Sequence, residues 1–152
     1  MKKAPMVLTV MASLALSACQ QASHDPHGID HDVDTCEICN MAINNTQAAT
    51  QIVMEDGSAV KFDDIGCMMQ YKKEQAGESE SFHTEYINSY GEESWTEAEE
   101  SVYVYDEDIS TPMGNGVISF GSESEAEAYM ESEDQGELLS YQDLSDHDWN
   151  SF

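Results

Sequence analysis

The chain of 152 residues carries 31 acidic side chains against five lysines and no arginine, a formal net charge of −26 at pH 7. So acidic a chain has no cationic face with which to release counterions from phosphates, which excludes nucleic acid as a partner. The carboxylates are spread along the chain rather than gathered in one block, the pattern of a solvated surface, and the length suits one domain or two small units sharing a core.

The first 18 residues have the layout of a signal peptide. Lys2 and Lys3 precede an apolar run from Pro5 to Leu16, too short to remain as a spanning helix, and Leu16-Ser17-Ala18 leads directly into Cys19. That ending resembles the lipobox of bacterial lipoproteins. On this reading the signal is removed, Cys19 carries lipid, and the protein is extracytoplasmic, anchored to the membrane without spanning it. Cys36, Cys39 and Cys67 then remain as thiols, an odd number that points to a free or metal-bound thiol rather than a disulfide framework.

Residues 19–35 are nearly devoid of apolar side chains and read as a flexible, lipid-anchored tether whose His24, His27 and His31 could also collect metal ions loosely. Order is expected from Cys36. Asp56-Gly57 is a two-residue turn signal between "TQIVM" and "SAVKF", which predicts a β-hairpin. From Asp64 the pattern turns helical, with Ile65, Met68 and Met69 on one face, Cys67 one turn from Tyr71, and Lys72 and Lys73 favourably placed in the last turn. "AGESESF" reads as a loop. Strands are predicted at Glu85–Ser89, Val102–Tyr105 and Gly116–Phe120, with Trp95 as the buried contact of the polar segment between the first two. Ser122 and Glu125 form a capping-box pattern for a helix turning Ala126, Tyr129 and Met130 inward. "ELLSY" is a last strand before an acidic tail, 145–152, in which Trp149 and Phe152 have no evident place.

Phe62 lies nine residues before Tyr71, and Phe120 nine before Tyr129. That spacing predicts an internal repeat. The fold class expected is α+β, with two strand-strand-helix-strand halves packed as one body over residues 36–144 after a disordered N-terminal tether.

The stretch "TCEICNM" admits three chemistries. Structural zinc takes four ligands, commonly as two close pairs, so Cys36, Cys39 and Cys67 would need His83, His147 or a carboxylate to complete the set. A thiol-disulfide enzyme would place C-x-x-C at the start of a helix that follows a strand. Thiolate with thioether selects Cu(I), since both donors are soft. Met41 is close to Cys39, and Met113 lies in the loop "STPMGNG", where nothing apolar accounts for it. If the halves pack pseudo-symmetrically, Met41 and Met113 would meet across the seam. No nucleophile, catalytic base or phosphate loop is apparent, and the protein is not expected to be an enzyme.

Taken in order, "CEICNM", "FDDIGCMMQY", "EYINSY…SW", "VYVY" and "TPMGNGVISF" resemble the NosL family, lipoprotein copper chaperones associated with nitrous oxide reductase, from about Cys36 to Leu144. The resemblance implies that the protein holds Cu(I) outside the membrane and passes it to apo nitrous oxide reductase and its membrane maturation machinery. It also implies that Cys39 and Met41 match the family's C-G-M and that Met113 matches its T-P-M methionine. Asn40 stands in place of the usual Gly; Asn is the residue after Gly that best tolerates a left-handed backbone, so the turn should survive. Cys36 and Cys67 are candidate further ligands, with Cys67 equally readable as a small buried helix residue.

Overall fold

The computed structural model describes residues 22–76 and 82–149. The loop expected over "AGESESF" falls mostly outside these residues, as do Cys19 and Phe152.

The first half is β1 (Thr50–Met54), β2 (Ala59–Phe62), α1 (Ile65–Gln75) and β3 (Phe82–Asn88), continued by the short β4 (Trp95–Glu97). The second is β5 (Val102–Tyr105), β6 (Val117–Phe120), α2 (Glu123–Glu133) and β7 (Glu137–Leu139), followed by the short α3 (Asp143–Asp146). The sheets run β2-β1-β3-β4 and β6-β5-β7, with antiparallel neighbours throughout. In each half the first strand is central, the second pairs on one side, and the strand after the helix pairs on the other. The predicted repeat is therefore a repeat of topology.

The phenylalanine–tyrosine spacing has a physical cause. Phe62 and Phe120 each end a hairpin strand, opposite Thr50 and Val102, and each tyrosine lies two turns into the following helix. Ring centroids are 5.3 Å apart for Phe62–Tyr71 and 5.4 Å for Phe120–Tyr129, both tilted, an arrangement that aromatic pairs favour. Even the residues before the two helices agree, with φ and ψ of −152° and 150° at Asp64 and −150° and 155° at Ser122.

The larger core gathers Ile52, Phe62, Ile65, Met68 and Met69 of the first half with Tyr103, Val117 and Leu144 of the second. A smaller one, of Val104, Ile118, Phe120 and Ala126, lies beneath α2. Because the main core is shared, neither sheet is a separable domain.

Local chemistry departs from the sequence reading in four places. The β1–β2 connection has three residues, not two: Gly57 donates its N–H to Met54, and Met54 pairs with Ser58. Gly57 holds φ of +82°, which suits a three-residue loop closed by a left-handed glycine. The capping box does not form, since Ser122 Oγ lies 3.2 Å from Ser124 Oγ and makes no cap bond. Ala98, not Trp95, is the buried contact of its segment, because a 3₁₀ turn over Ala98–Glu100 rotates it inward and offers its carbonyl to Tyr103 Oη at 2.7 Å. Trp149 finds a place after all, with Nε1 donating to the Leu144 carbonyl at 2.9 Å.

The segment read as a loose tether is docked from Ala22 onward. Gln51 points from the central strand toward it and exchanges two hydrogen bonds with the His27 backbone, at 2.8 and 2.9 Å. This satisfies a fully buried amide. His24, His27 and His31 donate ring N–H groups to the carbonyls of Glu55, Gly57 and Ile43, and the His24 ring stacks on His83 at 3.5 Å. Lys61 fixes the far end through the Gly28 carbonyl and Asp34. Polarity alone suggested disorder; it did not show that the histidines and part of the backbone had partners waiting on the folded body.

Candidate metal centre

A narrow loop precedes β1. Thr35 bridges Ala42, the Cys36 N–H donates to the Met41 carbonyl at 2.9 Å, and the Asn40 N–H returns to the Cys36 carbonyl at 2.9 Å. Closing it requires a left-handed residue, and Asn40 has φ of +59°. A bond from the Glu37 N–H to the Lys61 carbonyl pins the loop against β2. Cys36 consequently points inward and is buried, Cys39 sits half-buried at the rim, and Met41 is 44% exposed.

The other wall is the turn from β2 into α1. Asp63 and Asp64 are buried there, and Cys67 faces the core from the first turn of the helix. The sulfur atoms of Cys36, Cys39 and Cys67 and a carboxylate oxygen of Asp63 all lie within 4.8 Å of one another. Cys39 Sγ is 3.5 and 3.6 Å from the two Asp63 oxygens. All three cysteines are free thiols.

Sequence reasoning named the three sulfurs but not Asp63. Asp63 lies before the N-cap of α1 and meets Cys39 from 24 residues away, so no local pattern pointed to it. The geometry also bears on the other chemistries. Cys36 and Cys39 lie on a loop and open no helix, so the thioredoxin arrangement is absent among the described residues. His83 is stacked on His24, and His147 packs edge-on against Tyr105 and Trp149, at 4.6 and 4.5 Å; neither joins the cluster.

Asp64 links the halves. Its carboxylate caps α1 by accepting the Gly66 N–H at 2.7 Å, and it also takes the Met113 N–H at 3.2 Å and Asn115 Nδ2 at 3.0 Å. Thr111 Oγ1 accepts the N–H groups of Asn115 and Gly116, which folds the Met113 loop back on itself. Met113 is half-buried against the same core as Cys36 and Cys67. The second half thus delivers its methionine to the helix end beside the thiol cluster.

The thiols do not share one protonation state. The Cys67 thiol, donating to Cys36, pulls Cys36 down from 9.0 to about 6 against its burial. That bond, followed by burial, pushes Cys67 up. Burial pushes Cys39 up to about 11. In metal-free protein at pH 7 one thiolate, Cys36, is therefore expected. Its ultraviolet absorbance should appear with a midpoint near 6 and vanish in Cys36→Ala, whereas a first step near 9.0 would show that no S–H···S⁻ bond forms. A lowered folded-state value stabilises the fold above the unfolded value, so this contribution is lost as pH falls through about 6.

The model of the NosL family matches residues 29–149. The chain belongs to the NosL family. The fold is similar to the crystal structure of the copper chaperone NosL from Shewanella denitrificans, with a TM-score of 0.63 at 16% identity over 79% of this chain and 95% of that one. No curated protein matches the chain. The cluster itself is a set of soft sulfur donors with one carboxylate, and sulfur donors of that kind suit soft metal ions such as copper.

Proposed function

We propose that this protein is a membrane-anchored, extracytoplasmic chaperone that binds Cu(I) through Cys39, Met41 and Met113 and delivers it for maturation of nitrous oxide reductase. The observation that carries the proposal is the position of Cys39. It is the rim thiol of a buried thiol cluster, on the same loop as Met41 and against Asp63, whose neighbour Asp64 holds the Met113 loop.

One thiolate and two thioethers form a soft set that excludes hard cations. The same set leaves Cu(I) with few ligands, so an acceptor's sulfur or imidazole can enter before Cys39 departs. Met41, exposed at the edge, is the natural first ligand to yield. Cargo thus passes by ligand exchange without release as a free ion. Thioethers form no disulfides, which suits an oxidising compartment.

The test runs two assays in parallel, copper transfer to apo nitrous oxide reductase and reduction of insulin disulfides. The Met41→Leu, Met113→Leu double variant is expected to lose transfer and stay folded, while neither it nor the wild type reduces insulin appreciably. Insulin reduction unaffected by the methionine changes would instead identify a thiol-disulfide enzyme working through Cys36 and Cys39.

The anchor has its own test. Cys19→Ser should abolish incorporation of radioactive fatty acid and release the protein from the membrane, since no helix among the described residues is long and apolar enough to cross one. Label retained in the variant would locate the lipid elsewhere or show that Cys19 carries none.

A further inference from the structure

We propose that Cys36 and Cys67 are an oxidation sink for Cys39: two-electron oxidation by a hydroperoxide ends as a buried Cys36–Cys67 disulfide and leaves Cys39 a free thiol at the rim. The chemistry needs no metal; only its benefit to the cargo rests on the copper reading.

The proposed Cu(I) set uses Cys39 alone among the cysteines, which leaves two buried thiols without a task. Both are free, at 1% and 0% exposure, and their sulfurs lie within 4.8 Å of each other and of Cys39. Cys39 is the half-buried one, so an oxidant arriving from solvent meets it first. Left alone, its sulfenic acid would pass on to sulfinic acid, which is irreversible and no longer a soft ligand.

The steps balance on the thiols present. A hydroperoxide transfers one oxygen to the Cys39 sulfur, giving the sulfenic acid and an alcohol, or water when the oxidant is hydrogen peroxide. The Cys36 thiol displaces that oxygen as water and forms a Cys36–Cys39 disulfide. The Cys67 sulfur then attacks Cys36, its proton goes to the departing Cys39 sulfur, and the bond becomes Cys36–Cys67. The oxidant has taken two electrons, one from Cys36 and one from Cys67, and Cys39 ends as it began. An oxidant that reaches Cys36 directly gives the same product in one condensation with Cys67.

Three features of the fold favour the last exchange. Cys36 points inward and accepts from Cys67 in the first turn of α1, so its sulfur is turned toward the helix and away from the rim. Cys36 and Cys67 are 31 residues apart in sequence, whereas Cys36 and Cys39 are three apart. A cross-link between distant residues removes more freedom from the unfolded chain than one across a short loop, so folding favours the longer connection. The Cys36–Cys67 bond is also closed to solvent thiols, whereas a Cys36–Cys39 bond would open at the rim.

The experiment uses the full chain in detergent carrying Cys19→Ser, so that Cys36, Cys39 and Cys67 are its thiols. Metal-free protein receives one equivalent of hydrogen peroxide, remaining thiols are capped with N-ethylmaleimide, and cleavage after Glu37 separates Cys36 from Cys39 for mass spectrometry. Expected are one cap, on Cys39, and a linked pair of peptides holding Cys36 and Cys67, with Cu(I) affinity within about threefold of the reduced protein. Cys67→Ser, compared with its own reduced form, should instead end as Cys36–Cys39 and lose at least roughly a hundredfold in Cu(I) affinity on oxidation. A Cys36–Cys39 bond or a sulfinic Cys39 as the wild-type product would overturn the inference and leave the copper reading standing. Loss of Cu(I) binding when Cys36–Cys67 forms would overturn the protective role. A mapped Cys36–Cys67 bond in a protein whose reduced form binds no Cu(I) would overturn the copper reading and leave the sink.

Discussion

Cys39→Ser is expected to abolish tight Cu(I) binding while leaving the fold intact. Removing outer partners of a metal ligand already costs 10- to 100-fold, so loss of the anionic donor of a low-coordinate soft site should cost more than roughly a hundredfold. The remaining thioethers of Met41 and Met113 are neutral, and the new hydroxyl is hard. Stability should change little, because serine keeps the size of the side chain and can still donate to Asp63, which now lies 3.5 Å from the sulfur. Anaerobic titration against a chromophoric Cu(I) chelator measures the first effect and urea unfolding the second. Retention of Cu(I) affinity within tenfold of wild type would move the cargo inward, onto Cys36 and Cys67.

The second large effect is expected from Gly66→Ala, a change that elsewhere in a helix stabilises by up to about 1 kcal/mol. Here a Cβ would stand 2.1 Å from Asn115 Nδ2, 2.7 Å from its Cγ and 3.0 Å from Trp149 Cε3. Asn115 would have to leave Asp64, and the Met113 loop would move with it. Overpacking of this kind costs about 1–3 kcal/mol, which outweighs the gain in helix propensity. The variant should therefore unfold at lower urea and also bind Cu(I) more weakly, although residue 66 offers no ligand. Gly28→Ala is the control, since nothing lies within 4 Å of its added methyl group and its backbone is unstrained. Equal stability of the two variants would mean that Asn115 does not close over the helix end.

How much of this was legible beforehand depended on whether the signal was local. Hairpin, helices and most strands followed from the turn at Asp56-Gly57 and from the periodicity after Asp64. The repeat was visible in one pair of aromatic spacings because strand end and helix face must stay in register for phenylalanine to reach tyrosine. Asn40 was legible too, since a tight loop needs a left-handed backbone whatever surrounds it. Asp63 was not, because its role depends on burial opposite a loop some 24 residues earlier. Asp64 read as the point from which the pattern turns helical; that its carboxylate holds residues 113 and 115 is a long-range fact without a local trace. Ser122 shows the converse, a good local pattern that its serine neighbour intercepts.

The docking of residues 22–35 on the sheet sets a leash length. A 17-residue free tether from Cys19 to Thr35 would reach about 55–60 Å at about 3.3–3.6 Å per residue, enough to let the body wander well clear of the lipid. With the chain already seated at Ala22, only three peptide steps separate it from Cys19, at most about 11 Å. Ala22 and Ser23 lie against Gly57 at the tip of the β1–β2 hairpin, whereas the metal loop meets β2 at Lys61, four residues and about 13 Å farther on. For a lipid carried at Cys19, as proposed, the hairpin tip would rest near the headgroups and the cargo would be presented at the opposite end, facing a partner that approaches from the aqueous side.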